Sequence, residues 1–128
     1  QPIEAAYGHL ARWVDGGGPP PHAPYLEFIG TTKVRNELGL AQGGIQLSQV
    51  SVPTALNTGS NSGELFCFLF GTHVPFSDAQ LDTLYRSQGQ YVSAVVHTDS
   101  ANLGAGYLLH ADALENLNDA AHSDMGKK

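Results

Sequence analysis

A serine-rich segment at residues 58–63, TGSNSG, is the first place in this chain where nucleophilic chemistry could be sought. A nucleophile elbow follows the pattern G-x-S-x-G and lies between a strand and a helix. Here Asn61 occupies the position of the nucleophile, and the serines are Ser60 and Ser62. The residues after Gly63 predict extended chain rather than a helix, so we interpret this segment as a surface loop of turn-forming residues.

Six histidines are the candidates for acid–base or metal chemistry: His9, His22, His73, His97, His110 and His122. No two are four residues apart, and neither H-E-x-x-H nor C-x-x-C occurs, so neither a metal site nor a cofactor is predicted. His73 lies in a predicted turn, where its ring could bond a backbone carbonyl or contact a substrate at the rim of a site. The residue type alone favours the first role. In the second, Phe76, Ser60 and Ser62 would share the rim.

Two acids, Asp78 and Asp82, lie about one helical turn apart and resemble a carboxylate dyad. A catalytic dyad needs a desolvated environment that raises the pKa of one carboxyl group. A helix N-terminus instead favours ionised acids. Asp78 is therefore interpreted as an electrostatic aid to the start of a helix, and no catalytic residue is predicted in this chain.

The elements that would position these residues are clearest between residues 64 and 85. An apolar run, LFCFLF, ends at Gly71, and Gln80 follows Ser77 at the spacing of a capping box. This pattern predicts a strand or buried segment that leads into a capped helix. Cys67 lies inside the run and is expected to pack as a small hydrophobic residue.

An amphipathic helix is predicted over residues 2–14. Its apolar positions recur at helical spacing: Ile3, Tyr7, Leu10 and Val14. A Gly/Pro block then ends the helix, and we interpret residues 16–24 as a linker. The aromatic side chains of Tyr7 and Trp13 are predicted to anchor an interface.

The rest of the chain divides into a β-region and a helical region. Short strands are predicted at residues 25–29 and 32–35, which would form a hairpin, and also at residues 45–47 and 50–52. The predicted fold class is α+β, with a short irregular β-region at about residues 25–70 followed by two or three helices and preceded by the N-terminal amphipathic helix.

Two helices account for most of the second half. One begins at Ser77 and continues with a break or kink at Gly89, and Gly104 and Gly106 lie where it should end. The other begins at about His110 and carries apolar positions on one side. Residues 122–128 are expected to fray.

Composition and charge limit the classes of partner. The 128 residues suit one domain, and the formal net charge is −6, with no Lys/Arg cluster except Lys127 and Lys128. Nucleic acid is therefore not expected as a partner, because its affinity depends on cationic contacts to phosphate. The chain contains no run of 18 apolar residues, so no membrane span is predicted. A single cysteine excludes an intrachain disulfide. The cysteine content therefore does not decide the cellular compartment, and an extracellular or periplasmic location stays open.

Four segments together resemble the C-terminal part of a bacterial α/β-hydrolase-domain family of serine esterases. They read HLARWVDGGGPPPHAP, GLAQGGIQLSQVSVPTA, FCFLFGTHVPFSDAQLDTLY and GAGYLLHADALENL. The similarity extends from about residue 9 to residue 117. Its most specific parts are FCFLFGT-x-x-PF and GG-I-x-L-x-x-V-x-V-P.

The resemblance implies that the catalytic triad lies upstream of residue 1. Residues 1–15 would then belong to the hydrolase core and residues 25–124 to a C-terminal accessory region. The implied partner is the upstream core polypeptide or a second chain, and the present chain would not be catalytic alone.

Two alternatives stay open. One is a self-contained protein-binding or assembly module that uses the aromatic residues 65–76, which would be favoured if Phe66, Phe68 and Phe70 face solvent. The other is a small independent hydrolase that pairs Ser60 or Ser62 with His73 or His97.

Overall fold

The computed structural model describes residues 1–64 and 66–126, so Leu65, Lys127 and Lys128 lie outside the described residues. The predicted α+β class is confirmed, with helices at both ends of the chain and two small antiparallel sheets between them. The helices are α1 (Pro2–Val14), α2 (Ser48–Ser51), α3 (Asp78–Leu84), α4 (Gln88–Ala105) and α5 (His110–His122), with a 3-10 helix at Cys67–Leu69. The strands are β1 (Phe28–Ile29), β2 (Thr32–Lys33), β3 (Ala55–Thr58) and β4 (Thr72–Pro75).

The predicted first hairpin is confirmed but is shorter than expected. Strands β1 and β2 pair antiparallel, with Phe28 opposite Lys33, around a turn in which Gly30 has a φ of 62°. A positive φ is the conformation that glycine adopts without steric cost. Beyond this hairpin, the described residues of the region form two isolated bridges, and backbone hydrogen bonds such as that from Glu27 N to Gln42 O at 3.0 Å join its segments.

The strands predicted at residues 45–47 and 50–52 are wrong. Residues 48–51 form α2 instead, and the backbone N–H groups of Val50 and Ser51 both donate to Leu47 O at 2.9 Å. An alternation over three residues fits one helical turn as well as a strand, so the pattern was too short to decide. Val52 ends this turn and is buried.

The prediction that the LFCFLF run is a strand or buried segment is also wrong for residues 66–70, whereas Leu65 lies outside the described residues. Phe66, Phe68 and Phe70 are 67%, 65% and 66% exposed, and Cys67 is exposed rather than packed. The physical reason is the pairing of the strands. Strand β3 pairs with β4, and the run lies in the long connection between them. A strand can bury side chains only where a sheet neighbour supports it, and none of the described residues pairs with this segment.

The three C-terminal helices follow their predicted signals closely. Ser77 and Gln80 form the capping box of α3, with Gln80 N donating to Ser77 Oγ at 3.4 Å. A break is predicted at Gly89, but the structure has it two to four residues earlier, because Ser87 caps a new helix, α4. Gly106, with a φ of 80°, ends α4. Residues 122–128 are expected to fray from the sequence; α5 ends at His122, and Lys127 and Lys128 lie outside the described residues.

The core lies among these helices. Four buried residues form its centre: Val52, Tyr85, Val95 and Ala120. The Tyr85 ring meets Tyr91 edge to face at 4.9 Å, and its hydroxyl donates to Pro53 O at 2.9 Å. A buried phenol with a backbone partner ties the helices to the segment that enters β3.

The buried phenol of Tyr85 predicts a loss of stability at alkaline pH. Burial, and then the neighbouring Tyr91, raises the pKa of Tyr85. An unfolded tyrosine ionises at about pH 10. The free energy of unfolding should therefore fall as the pH rises above about 10, because the unfolded chain releases a proton that the folded chain keeps.

Urea denaturation between pH 8 and pH 11 measures this effect. Tyr85→Phe should reduce the decrease in the free energy of unfolding with rising pH. Tyr25→Phe is the control, because its side chain is 85% exposed, and it should leave that pH dependence unchanged. An unchanged slope in Tyr85→Phe would contradict the assignment.

The described chain exposes an unusually large surface. Its accessible area is 8698 Å² for a mass of 13.6 kDa. A folded monomer of that mass exposes roughly 6,600 Å², so the excess is about 2,100 Å². Of the helices described, none combines the length and apolar character needed to cross a membrane.

Candidate functional site

The β3–β4 hairpin positions His73. Asn57 lies opposite His73 in the register, and His73 Nδ1 lies 2.7 Å from Asn57 Oδ1. A carbonyl oxygen only accepts, so Nδ1 carries the hydrogen and Nε2 of the neutral ring is left as an acceptor. The turn predicted at His73 is wrong, because this residue lies in β4 and pairs with β3. The sequence favoured a bond from His73 to a backbone carbonyl, whereas the structure gives a cross-strand bond to a side chain.

The two candidate serines lie in the connection that follows β3, and both are exposed. Ser60 O accepts from Thr72 Oγ1 at 2.8 Å, and Ser60 N donates to Thr58 Oγ1 at 3.2 Å. Ser62 N donates to Asn61 Oδ1 at 2.8 Å. These bonds fix the backbone of a turn, as expected for a surface loop, and they use no serine hydroxyl.

Phe76 comes just after β4 and is half-buried, with its N–H donating to Thr54 O at 3.0 Å. The structure thus joins His73, Ser60 and Phe76 through one hairpin. Of the four candidate rim residues, His73 lines the cleft described next; Phe76, Ser60 and Ser62 are not among its lining residues.

A cleft of about 400 Å³ lies between this hairpin and helices α2, α4 and α5. Its apolar floor consists of the buried side chains Val52, Val95 and Ala120. Its polar walls include Ser48, Asn57, His73, Tyr91, Asn116 and Asp119. A concave apolar floor with a few convergent polar groups is typical of a small-molecule site.

A buried polar cluster supports the wall of the cleft. Asn116 Nδ2 donates to Asp99 Oδ2 at 2.8 Å and to Ser48 Oγ at 3.5 Å. Asn116 Oδ1 accepts from Gln1 Nε2 at 2.9 Å and from Gln49 Nε2 at 3.1 Å. Both hydrogens and both lone pairs of this amide are therefore used, which locks its orientation.

Asp99 lies behind Asn116 and is 2% exposed. Its Oδ1 has no hydrogen-bond partner among the residues that the structure describes. A buried carboxylate with so few partners is costly, so the Asn116 amide is its main support.

The electrostatics of the cleft come from Tyr91 and Asp119. Burial raises the pKa of Tyr91, and the Asp119 carboxylate raises it further. The phenol therefore stays neutral and can donate a hydrogen bond at any physiological pH. Neither lysine nor arginine is among the lining residues, so the charged side chain of the cleft is Asp119, and amide and hydroxyl groups that donate and accept hydrogen bonds surround it.

Helix α1 is held to the rest of the chain by one face. Ala5 is buried, and Gln1 reaches Asn116 as described above. His9 Nε2 donates to Gly106 O at 2.7 Å, while its Nδ1 accepts from Arg12 Nη2 at 2.7 Å. The attached face thus includes positions 1, 5 and 9, and Arg12 supports the His9 ring from within the same helix.

The apolar stripe of α1 points the other way. Tyr7 and Trp13 are 68% and 52% exposed, and Ile3, Leu10 and Val14 are exposed beside them. A shallow hollow of about 190 Å³ on this face is lined by Ile3, Ala6, Tyr7 and Leu10. The face that an amphipathic helix normally buries is therefore the one left open.

The contact between α1 and the end of α4 predicts a requirement for glycine. A Cβ at Gly106 would lie 2.8 Å from His9 Nε2, and its φ of 80° disfavours any other residue. Gly106→Ala should lower the free energy of unfolding by about 1–3 kcal/mol.

Gly104→Ala is the matched control, because nothing lies within 4 Å of its added methyl group. It should be neutral or stabilising by up to about 1 kcal/mol. Equal effects of the two substitutions in thermal unfolding would contradict the role of Gly106.

Sequence reasoning missed the cluster behind the cleft. Asp99 and Asn116 occupy positions that continue the buried stripes of α4 and α5, since Val95 precedes Asp99 and Ala120 follows Asn116 by four residues. A polar residue at a core-facing helical position was the signal that could have revealed it.

The described residues contain no group of three or more His, Cys, Asp or Glu side chains that could hold a metal ion. The histidines of the described chain that make hydrogen bonds do so with backbone oxygens, an arginine and an asparagine. Catalytic chemistry by a Ser–His pair therefore has no geometric support from those bonds.

Comparison with known proteins adds the family. Residues 1–118 match a family model described as alpha/beta hydrolase domain. Neither a curated protein nor a solved structure matches the chain significantly. The match spans nearly the whole chain, and it agrees with the resemblance carried by the four sequence segments. The chain belongs to the alpha/beta hydrolase domain family.

Proposed function

We propose that this chain is the C-terminal accessory segment of a serine-esterase-like α/β-hydrolase and is not catalytic alone. The nucleophile, its base and the oxyanion hole would be supplied by a hydrolase core, either upstream in the same polypeptide or in a second chain. The role of the accessory segment is to cover that core and to line the mouth of its ester site.

The observation that carries this proposal is the orientation of α1. Its polar and small side chains contact the rest of the chain, while Tyr7 and Trp13 face outward with the apolar stripe. Burial of such a stripe is what normally stabilises a surface helix. An outward apolar face is therefore explained if another body packs against it.

The excess accessible area supports the same proposal. An excess of about 2,100 Å² is well above the roughly 800 Å² that each partner contributes to a standard interface. Most of the large exposed apolar side chains fall on α1, on the β1–β2 hairpin and on residues 66–70. Three such patches are more than isolated surface residues require.

The hairpin supports a rim role for His73. The bond to Asn57 holds the His73 ring at the edge of the cleft. The exposed loop with Ser60 and Ser62 follows β3, the strand that carries Asn57, and Ser60 is bonded to Thr72 of β4. We propose that His73, Phe76 and this loop lie at the mouth of the ester site. The serines would shape the rim and not act as nucleophiles.

A self-contained binding or assembly module is the second candidate. This alternative is favoured by the exposure of Phe66, Phe68 and Phe70. Aromatic side chains are enriched where proteins bind one another. The two candidates differ in the occupant of these surfaces: a hydrolase core in the first and an unrelated protein or a second copy in the second.

Fluorophosphonate labelling tests the catalytic part of the proposal. The chain alone should resist labelling and should not hydrolyse p-nitrophenyl acetate. The longer polypeptide encoded with the upstream sequence should be labelled at a serine outside residues 1–128. Labelling of Ser60 or Ser62 in the isolated chain would overturn the proposal and favour a small independent hydrolase.

A further inference from the structure

We infer that the cleft beside His73 is a binding site for a neutral, hydroxyl-bearing small molecule such as a sugar or another polyol. The cleft has a volume of about 400 Å³, which lies in the range of small-molecule sites. It is formed by side chains of this chain only. Binding itself is therefore independent of the proposed function. If the proposed function holds, the ligand would be the alcohol part of an ester, and that part of the inference rests on the proposed function.

The floor of the cleft suits the carbon skeleton of such a ligand. Val52, Val95 and Ala120 are all less than 10% exposed and line the same cavity. The ring of Tyr91 adds an aromatic edge that is held in place by Tyr85. Apolar surface next to polar walls matches a sugar ring, which has C–H faces and a hydroxyl periphery.

The walls favour a ligand that both donates and accepts hydrogen bonds, because amide and hydroxyl groups line the cleft beside a carboxylate. In the neutral tautomer that donates Nδ1–H to Asn57, the Nε2 atom of His73 is an acceptor. The Asp119 carboxylate accepts only, and the neutral Tyr91 phenol can both donate and accept. Alcohol groups, which donate and accept, satisfy all three side chains.

The charge of the cleft disfavours anions. Asp119 is its charged side chain, and no lysine or arginine lines the cavity among the described residues. A carboxylate or phosphate ligand would meet repulsion from Asp119 without a compensating cation. A neutral ligand avoids that repulsion and also the desolvation cost of a cation over an apolar floor.

The wall formed by Asn116 is preorganised. Its four hydrogen-bonding positions are filled by Gln1, Gln49, Asp99 and Ser48, so the amide needs no ligand to satisfy it. We assign the main polar contacts of the ligand to His73, Tyr91 and Asp119, which line the cleft away from this saturated amide. A preformed wall reduces the ordering cost of binding.

The test is a methyl-labelled NMR titration of the chain with three matched probes: methyl α-D-glucoside, methyl α-D-glucuronide and the methyl glycoside of glucosamine. We expect the glucoside to shift the methyl signals of Val52 and Val95. The glucuronide should bind at least about tenfold more weakly because of Asp119. Asp119→Asn should narrow that gap, whereas the control Asp78→Asn on α3 should leave it unchanged.

Two further variants locate the binding groups. His73→Ala and Tyr91→Phe should each weaken glucoside binding several-fold while the methyl spectrum of the core is preserved. The inference is overturned if Val52 and Val95 do not shift, if the glucuronide binds as well as the glucoside, or if the amine probe binds more than tenfold more tightly. Equal effects of Asp119→Asn and Asp78→Asn would also overturn it. None of these readouts depends on ester hydrolysis, so this inference can fail separately from the proposed function.

Discussion

Asn116→Ala is expected to lower the free energy of unfolding by about 3 kcal/mol, a large share of the stability of a domain of this size. The substitution removes the hydrogen bond that Asn116 donates to Asp99 at 2.8 Å. Asp99 is 2% exposed and its other oxygen already has no partner among the described residues. The substitution therefore leaves a buried carboxylate almost without support, and it also frees the amides of Gln1 and Gln49.

Urea denaturation followed by circular dichroism measures this change. Asn118→Ala is the matched control, since Asn118 lies on the same helix and its side chain is exposed. The control should change stability by less than about 0.5 kcal/mol. Because Asp99 and Asn116 interact directly, the double substitution Asp99→Ala/Asn116→Ala should cost less than the sum of the single ones. A loss in Asn116→Ala no greater than in the control would refute the structural role of the cluster.

The second large effect is expected at the outward face of α1. If α1 packs against the proposed hydrolase core, replacing both Tyr7 and Trp13 with serine should weaken that association by at least about 100-fold, because buried aromatic anchors commonly contribute 2 kcal/mol or more each. Isothermal titration calorimetry of the chain against the separately prepared core provides the dissociation constant. Neither side chain is buried within this chain, so its own fold should be little changed.

Glu4→Ala is the control for this pair. Glu4 is exposed on the polar flank of the same helix, so its loss should change the affinity by less than about threefold. If Tyr7→Ser/Trp13→Ser binds the core as tightly as Glu4→Ala, then α1 does not form the interface, and the exposed stripe needs another explanation.

The parts of the fold that could be predicted from sequence were those with strong local signals. The Ser77–Gln80 capping box and Gly106 at the end of α4 each satisfy backbone groups within a few residues of themselves. Such signals do not depend on distant parts of the chain. The helices of the second half were therefore predicted with errors of only a few residues.

The errors arose where a partner element decides the outcome. Residues 66–70 are apolar enough to be a core strand, but β3 and β4 pair with each other and leave this run outside their register. The short alternation at residues 50–52 was equally compatible with α2. Neither error could be avoided from local pattern, because the burial of a strand depends on which segment pairs with it.

The candidate site was predictable only in part. His73 was identified as a turn residue with a possible rim role, and the structure supplies the bond to Asn57 that gives its ring an orientation. Asp99 and Asn116, which support the cleft, come from two helices and meet only in the folded chain. Their side chains were visible in the sequence only as polar interruptions of apolar stripes.

The mass of the native protein, measured by size-exclusion chromatography with light scattering and by intact-mass spectrometry, tests the central claim most directly. If the chain is an accessory segment, it should be found within a larger polypeptide or in a stable complex with a hydrolase core, so that the native particle far exceeds 13.6 kDa. A well-folded monomer of 13.6 kDa with no companion polypeptide would contradict the account.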